Sequence, residues 1–323
     1  MPLRRTAGLW RYAATFGLVA MLTTTPAASA APSHHHGTRL GNVRVLAHFD
    51  RAAGQAAESI ALEPGGSVVV GMIPARQVVR VTRDGSVQVL VTMPLPPGGG
   101  GTTPEVGIPV VTGVARSATG AVYFLYPSGQ GGLTGIWQVH RSGEPRLVVP
   151  LPADTFPNAL VVDGDRFLVT DSTGGRIWQA PLHGGEASVW SADPALAPVG
   201  FFGVNGMKIH DGAVWASNSD RGTIVRIPID RGRPGRAEVR ATGLEGVDDF
   251  DFTGRGTEIL AAVNQAGELV RVGADGTRET LLDADDGMQG TTAVVVRGNR
   301  AYITNGANLA GNDSNLMLAE LRR

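Results

Sequence analysis

Six times along the chain a polar residue is followed by a short apolar run, a glycine-containing turn and a second apolar run. The copies open at Glu58 (ESIALEPGGSVVVGMI), Thr112 (TGVARSATGAVYFLY), Asn158 (NALVVDGDRFLVTD), Asn205 (NGMKIHDGAVWASN), Asp248 (DDFDFTGRGTEILAAVN) and Thr292 (TAVVVRGNRAYITN). Short β-rich runs bounded by Gly, Asn and Asp clusters read as strands joined by hairpins. Successive openings lie 43 to 54 residues apart, the period of a four-stranded propeller blade. One blade cannot bury both faces of its sheet, so the repeats must pack radially around a channel. The pattern predicts an all-β fold, a six-bladed β-propeller of four-stranded blades.

Blade four shows the grammar most fully. Strands are expected over Val204–Ile209, Ala213–Asn218, Thr223–Ile229 and Ala237–Ala241, with His210-Asp211-Gly212 and Asp220-Arg221-Gly222 as turns. The last repeat supplies three strands, Ala293–Val296, Ala301–Thr304 and Leu316–Leu321, and lacks a fourth. Asn42–Phe49, ahead of the first repeat, alternates as a strand should. Placed against the last repeat, this N-terminal strand closes the ring and removes an open edge. Residues 42–323 are therefore expected to form one domain. Pro94 to Pro109 (PLPPGGGGTTPEVGIP) is long and rich in Gly and Pro; it reads as a lid over the channel or as a plain insertion.

Composition narrows the class. Aromatic residues make up 6% of the chain while glycine occurs 45 times, which suits many short strands with tight turns. The net charge of −1 carries no basic footprint for nucleic acid. The absence of cysteine excludes thiol catalysis, iron–sulfur clusters and cysteine zinc sites. At the N-terminus, Arg4, Arg5 and Arg11 precede an apolar run from Ala13 to Thr25, and Ala28-Ser29-Ala30 offers a small-residue cleavage site. Residues 1–30 thus read as a signal peptide, with an apolar core short of the roughly 20 residues that span a bilayer. Residues 31–41, including His34-His35-His36, read as a flexible mature N-terminus. The expectation is a secreted, extracellular monomer with no stable membrane anchor, acting on a small molecule.

The residue that opens each repeat should stand where the innermost strand begins, beside the channel. In blade order the ring reads Glu58, Thr112, Asn158, Asn205, Asp248, Thr292. Two carboxylates and two amide carbonyls make an oxygen-rich site for a hard cation, and calcium accepts such donors in irregular geometry. Open positions would then remain for water and substrate. Purely structural Asn and Asp residues, satisfying turns that lead into strands, are the alternative.

On the stretches PNALVV, VNGMKI with ASNSDRG following, and GVDDFDF, the chain resembles the senescence marker protein/gluconolactonase family of six-bladed propellers, whose relatives include diisopropyl fluorophosphatase and the paraoxonases. The resemblance implies a catalytic calcium held by Glu58, Asn158, Asn205 and Asp248. It also implies that Asp248 doubles as base or nucleophile. Asp249 should be turned aside by strand alternation.

Departures accompany the likeness. Lactone-hydrolysing members tend to carry Gly-Pro and an aromatic residue after the blade-one Glu, where this chain has Ser59-Ile60-Ala61. They tend to place Arg two residues before the blade-three Asn, where this chain has Phe156. Phe201, Phe202 and Phe250 lie near other inner-strand starts. These four phenylalanines predict an apolar substrate pocket; inter-blade core is the competing reading. No paraoxonase-type histidine dyad and no Gly-x-Ser-x-Gly elbow is present. The expected function is a calcium-dependent hydrolase of a lactone or ester-like small molecule. The alternatives are a non-enzymatic ligand- or protein-binding propeller with a structural metal, and a natural-product synthase or cyclase using the same pocket.

Overall fold

The computed structural model describes residues 37–99, 101–140, 143–308 and 312–322. The expected signal peptide, and residues 31–36 with the three histidines, lie outside the described residues. Six antiparallel sheets follow one another along the chain, each of four strands in the order inner to outer. Blade one, for example, runs Gln55–Leu62, Val68–Pro74, Gln77–Val81 and Val87–Thr92. The inner strands of blades two to six are Val114–Arg116, Pro157–Asp163, Val204–His210, Val247–Phe252 and Thr291–Arg297. Blade four carries one addition, a two-residue strand Arg233–Pro234 folded back on Ile229 and Asp230. Three short 3-10 turns are the only helical pieces among the described residues.

The ring closes as the missing strand requires. Arg39–His48 pairs antiparallel with Asn315–Arg322, from Arg39 opposite Arg322 to His48 opposite Asn315, and forms the outer edge of blade six. The strand begins three residues before the expected Asn42. Thr38, ahead of it, is fully buried, and its hydroxyl donates to Glu258 of blade five. Residues 37–41 are therefore held in the structure rather than forming part of a flexible N-terminus.

Alternation explains why the blades must stack. In Val68–Pro74 the side chains of Val68, Val70 and Met72 join the core shared with blade six, whereas Val69 joins the core shared with blade two. Second strands such as this one are apolar on both faces because each sheet is covered on both sides there. Six such cores result, one between every pair of neighbours. The four-strand meander also returns the chain, after each outer strand, to the face where the next inner strand begins. The connections between blades, including residues 94–99 and 101–109, lie on that face.

The closing strand contributes Ala47 and the partly buried Leu40, Val43, Val45 and Leu46 to two of these cores. A chain starting at Phe49 would lose this apolar surface and expose the Asn315–Arg322 edge. It should melt at least 10 °C lower and aggregate, as judged by calorimetry and light scattering. An unchanged midpoint would show that the ring does not depend on this closure.

Candidate functional site

Each site position sits in a break of strand register. Between Ala57 and Ser59 the inner strand of blade one gains one residue on its partner, and the extra residue is Glu58. The same gain occurs between Pro157 and Leu160, Val204 and Met207, Val247 and Phe250, and Thr291 and Ala293. Asn158, Asn205, Asp248 and Thr292 lie inside these stretches. A bulge leaves the extra residue unpaired and re-aims its side chain. Repeated around the ring, it turns the opening residues toward the channel.

Hydroxyls and backbone groups then lock neighbouring blades together at that level. Thr112 Oγ1 donates to Pro157 O at 2.8 Å, and Gly113 N to Asn158 O at 2.7 Å. Thr170 and Ser172 of blade three donate to Asn205 O and Val204 O at 2.7 and 2.8 Å. Ser217 and Ser219 of blade four donate to Asp248 O and Val247 O, both at 2.7 Å. Thr292 Oγ1 donates to Ala57 O at 3.0 Å, and Ser59 Oγ to Thr112 O at 2.6 Å. Between blades five and six the polarity reverses: Asp251 accepts from Val296 N at 2.7 Å, and Asp249 accepts from Val294 N. Thr112 and Thr292, the two hydroxyl members of the ring, are buried and used for this joinery.

Glu58, Asn158, Asn205 and Asp248 all line one cavity of about 50 Å³ on the channel axis. The amide nitrogen of Asn158 donates to Ser172 Oγ at 3.1 Å, and that of Asn205 to Ser219 Oγ at 3.0 Å. Asn205 also hydrogen-bonds the Asp248 carboxylate. Among the described residues neither amide oxygen accepts a hydrogen bond. Burial pushes the Glu58 carboxyl from 4.5 up to about 7, with the charge of Asp249 adding to the effect. Asp248 is also raised well above the ordinary range, by burial, then by Glu58 and Asp249, against a lowering by Asn205. Carboxylates crowded and dehydrated in this way lack a counter-charge, and donorless amide oxygens beside them suit a hard cation. The donor set thus fits calcium through its two amides as much as its acids; no three His, Asp or Glu side chains among the described residues group tightly enough to hold a metal unaided.

One channel residue escapes the alternation argument, and it brings a partner with it. Asp249, expected to turn aside, lines the same cavity as Asp248, because the bulge between Val247 and Phe250 interrupts the period of two. Its partner is Lys208, whose Nζ donates to Asp249 Oδ1 at 2.5 Å and lies 5.7 Å from the Phe250 ring centroid. Gly206 permits this approach: a Cβ there would meet Asp249 Cα at 2.6 Å. A Lys three residues after the blade-four Asn, and a doubled Asp in blade five, were the visible signals.

The phenylalanines divide. Phe250 is wholly buried among Trp215, Ile224 and Ile259 between blades four and five, so it is core rather than pocket. Phe156, Phe201 and Phe202 form a cluster, with ring centroids 4.7 Å apart for Phe156–Phe202 and 4.2 Å for Phe201–Phe202. They precede Asn158 and Asn205 in the chain and border the channel face without lining the small cavity. Phe156 is 3% exposed beneath the others, whereas Phe201 is 50% exposed. Asp220 fixes their loop: its carboxylate accepts from the backbone N–H groups of Val199, Gly200, Phe201 and Phe202. Burial works to raise the Asp220 pKa, and the four bonds together outweigh it and hold the carboxyl below its ordinary range. The described parts of the 94–109 stretch are tied to blade two, with Pro94 O accepting from Tyr126 Oη at 2.6 Å and Thr103 buried.

No protein-family model matches the sequence, and no curated protein resembles it closely enough to count as a relative. Solved structures do resemble it in fold. A gluconolactonase from Xanthomonas campestris superposes with TM-score 0.65 at 16% identity, over 93% of this chain and 99% of that one. Regucalcin, a calcium-binding protein from Agrobacterium tumefaciens, gives TM-score 0.63 at 17% identity, over 86% and 94%. Virginiamycin B lyase from Staphylococcus aureus gives 0.58 at 14%, over 89% and 100%. At these identities the likeness is one of fold alone, and the gluconolactonase and regucalcin structures share the six-bladed propeller. Its neighbours include gluconolactonase-like propellers.

The crowded carboxylates predict an unusual pH response. Glu58 has a folded pKa near 7 against 4.5 when unfolded, so the folded state binds more protons in that window. Stability of the chelator-treated protein should therefore fall as pH rises from about 4.5 through 7. Glu58→Gln should flatten this slope by at most about 3 kcal/mol over the window. Thermal melts of both proteins at pH 5 and pH 8 make the comparison; equal slopes would mean that Glu58 is not so strained.

Proposed function

We propose that this chain is an exported calcium-dependent hydrolase, acting as a monomer on a lactone or ester-like small molecule at the channel mouth. One observation supports the reading above others: two uncompensated carboxylates and two amide oxygens without donors, from four different blades, line a single cavity. A cation bound there would polarise the substrate carbonyl and offset the charge that develops on its oxygen. Glu58, Asn158, Asn205 and Asp248 would hold it. Asp248 is the residue placed to take a proton from the attacking water, since Asp249 is engaged by Lys208 and by backbone N–H groups.

Size decides where the substrate body sits. A cavity of about 50 Å³ admits an ion and a few waters, each needing about 10–15 Å³, but no sugar ring. The acyl or lactone carbonyl would reach the donors while the rest of the molecule lies outside, against Phe201 and Phe202. No cation stands beside Asn158 in the place of Phe156, so an apolar substrate suits this mouth better than an acidic sugar lactone.

A panel of aliphatic and aromatic lactones and esters, assayed with calcium and with chelator, tests the proposal. Turnover should require calcium. Asp248→Ala should lower kcat at least about 100-fold, and Asn158→Ala should weaken calcium binding about 10-fold or more. Metal analysis that finds no calcium, or an Asp248→Ala protein with full activity, would favour a non-enzymatic propeller. Calcium binding without hydrolysis of any panel member would instead direct attention to a lyase or cyclase reaction.

Phe201→Ala should raise KM several-fold for apolar substrates and leave kcat nearly unchanged, because a half-exposed ring can contribute only uniform binding. A change confined to kcat would place the ring in the chemistry instead of the lip.

A further inference from the structure

Lys208 is the one cationic residue among the described residues that line the central cavity, and the proposed hydrolase chemistry makes no use of it. It lies on the inner strand of blade four just past the bulge, opposite Trp215, with its side chain 23% exposed. Its neighbour Met207 turns into the core between blades three and four. Alternation therefore directs Lys208 into the channel. There it meets Asp249, which is 16% exposed and within electrostatic reach of both Glu58 and Asp248. A buried ion pair adds little net stability over apolar residues of the same size, because dehydrating both charges offsets their attraction. Its effect on the charge of the cavity is large by comparison. With the pair intact and both Glu58 and Asp248 ionised toward a bound cation, the cavity wall would carry three carboxylates and one ammonium, a net charge of two negative units. Asp251, one alternation beyond Asp249, is off the cavity wall and accepts from Val296 N and Phe252 N.

We propose that Lys208 sets the charge of this site to suit a divalent cation, neutralising Asp249 so that Glu58 and Asp248 alone face the metal. The proposal rests on the metal reading above and adds a residue that holds no metal itself. Removing the ammonium would release a third carboxylate, so divalent ions should bind more tightly and trivalent ions more tightly still. Removing the Asp249 charge would leave an unpaired ammonium beside the site and weaken both. Removing the two together would restore the original charge.

Calcium titration by calorimetry and terbium titration by luminescence, on the full chain, read these effects without any substrate. Unit charges at such separations in a partly dehydrated site change affinity by about tenfold. Lys208→Met is expected to lower the calcium Kd about tenfold and the terbium Kd further. Asp249→Asn is expected to raise the calcium Kd about tenfold, and the Lys208→Met/Asp249→Asn protein to return close to the parent. Lys208→Arg keeps the charge and should bind like the parent. A purely structural pair would instead make all three charge variants bind more weakly, and that result, or no change in any of them, would overturn the proposal. If the parent binds no calcium while Lys208→Met does, Lys208 is confirmed as the charge-setting residue and the metal-dependent hydrolase is what fails. Binding by none of the proteins would overturn both.

Discussion

The structure turns on a set of short hydrogen bonds that cross from each blade to the next at the inner strands. Every inner strand of a propeller faces a crowded axis, where the bulge that aims a side chain inward also breaks the ladder and leaves backbone carbonyls without partners. Thr112, Thr170, Ser172, Ser217, Ser219 and Thr292 supply those partners from the neighbouring blade. The carbonyls they hold belong to the four donor residues themselves or to the residue just before. A site built of four separate blades is thereby fixed at the level of its backbone. Loosening any one bulge would cost a buried hydrogen bond of roughly 1 kcal/mol and would also displace a donor.

That joinery lets the centre of the channel keep an arrangement that is unfavourable by itself. Glu58, Asp248 and Asp249 are dehydrated and near one another, and one lysine does not balance them. A flexible site would relax by splaying the carboxylates apart. Here the rigid ring prevents it, and burial and crowding keep the Glu58 and Asp248 carboxyls raised. Local instability supported by rigid surroundings is a recurring property of binding centres. In blade five Asp249 serves twice, because with Asp251 it also accepts the N–H groups that join blade six.

Much of this was legible in the sequence, and the parts that were not share one cause. The blade count, the closing strand and the gathering of four polar residues at one cavity follow from the repeat period, and five of the six repeats carry a register shift at the opening residue. Side-chain direction within a repeat is different. Alternation assigned Asp249 to the opposite face from Asp248, but the extra residue in the strand brings both to the channel. A bulge has no residue signature of its own when its positions are Asp-Asp or Asn-Gly, so period-two reasoning fails just where the site lies. Lys208 itself keeps ordinary alternation past its bulge, and its pairing with Asp249 follows from the bulge in blade five. Phe250 was placed near the mouth because it follows Asp248 closely in sequence; it resumes the normal register two residues later and faces the blade-four core. The hydroxyl pairs Thr170-x-Ser172 and Ser217-x-Ser219, at the ends of second strands, were an available signal for the joinery.

The aromatic lip completes the argument about selectivity. Phe201 is half exposed although a large ring would gain by burial, and its loop is not loose: four consecutive N–H groups close on Asp220. A carboxylate satisfied by so many backbone donors acts as a fixed post. It holds Phe201 outward over Phe202, while Phe202 rests on Phe156 and so reaches the approach to Asn158. An apolar surface that is presented rigidly loses little entropy on contact. The polar centre is too small for a substrate body, and the lip beside it is apolar and preorganised. In the proposed hydrolase the two together would separate the tasks of activating a carbonyl and of choosing which molecule brings it.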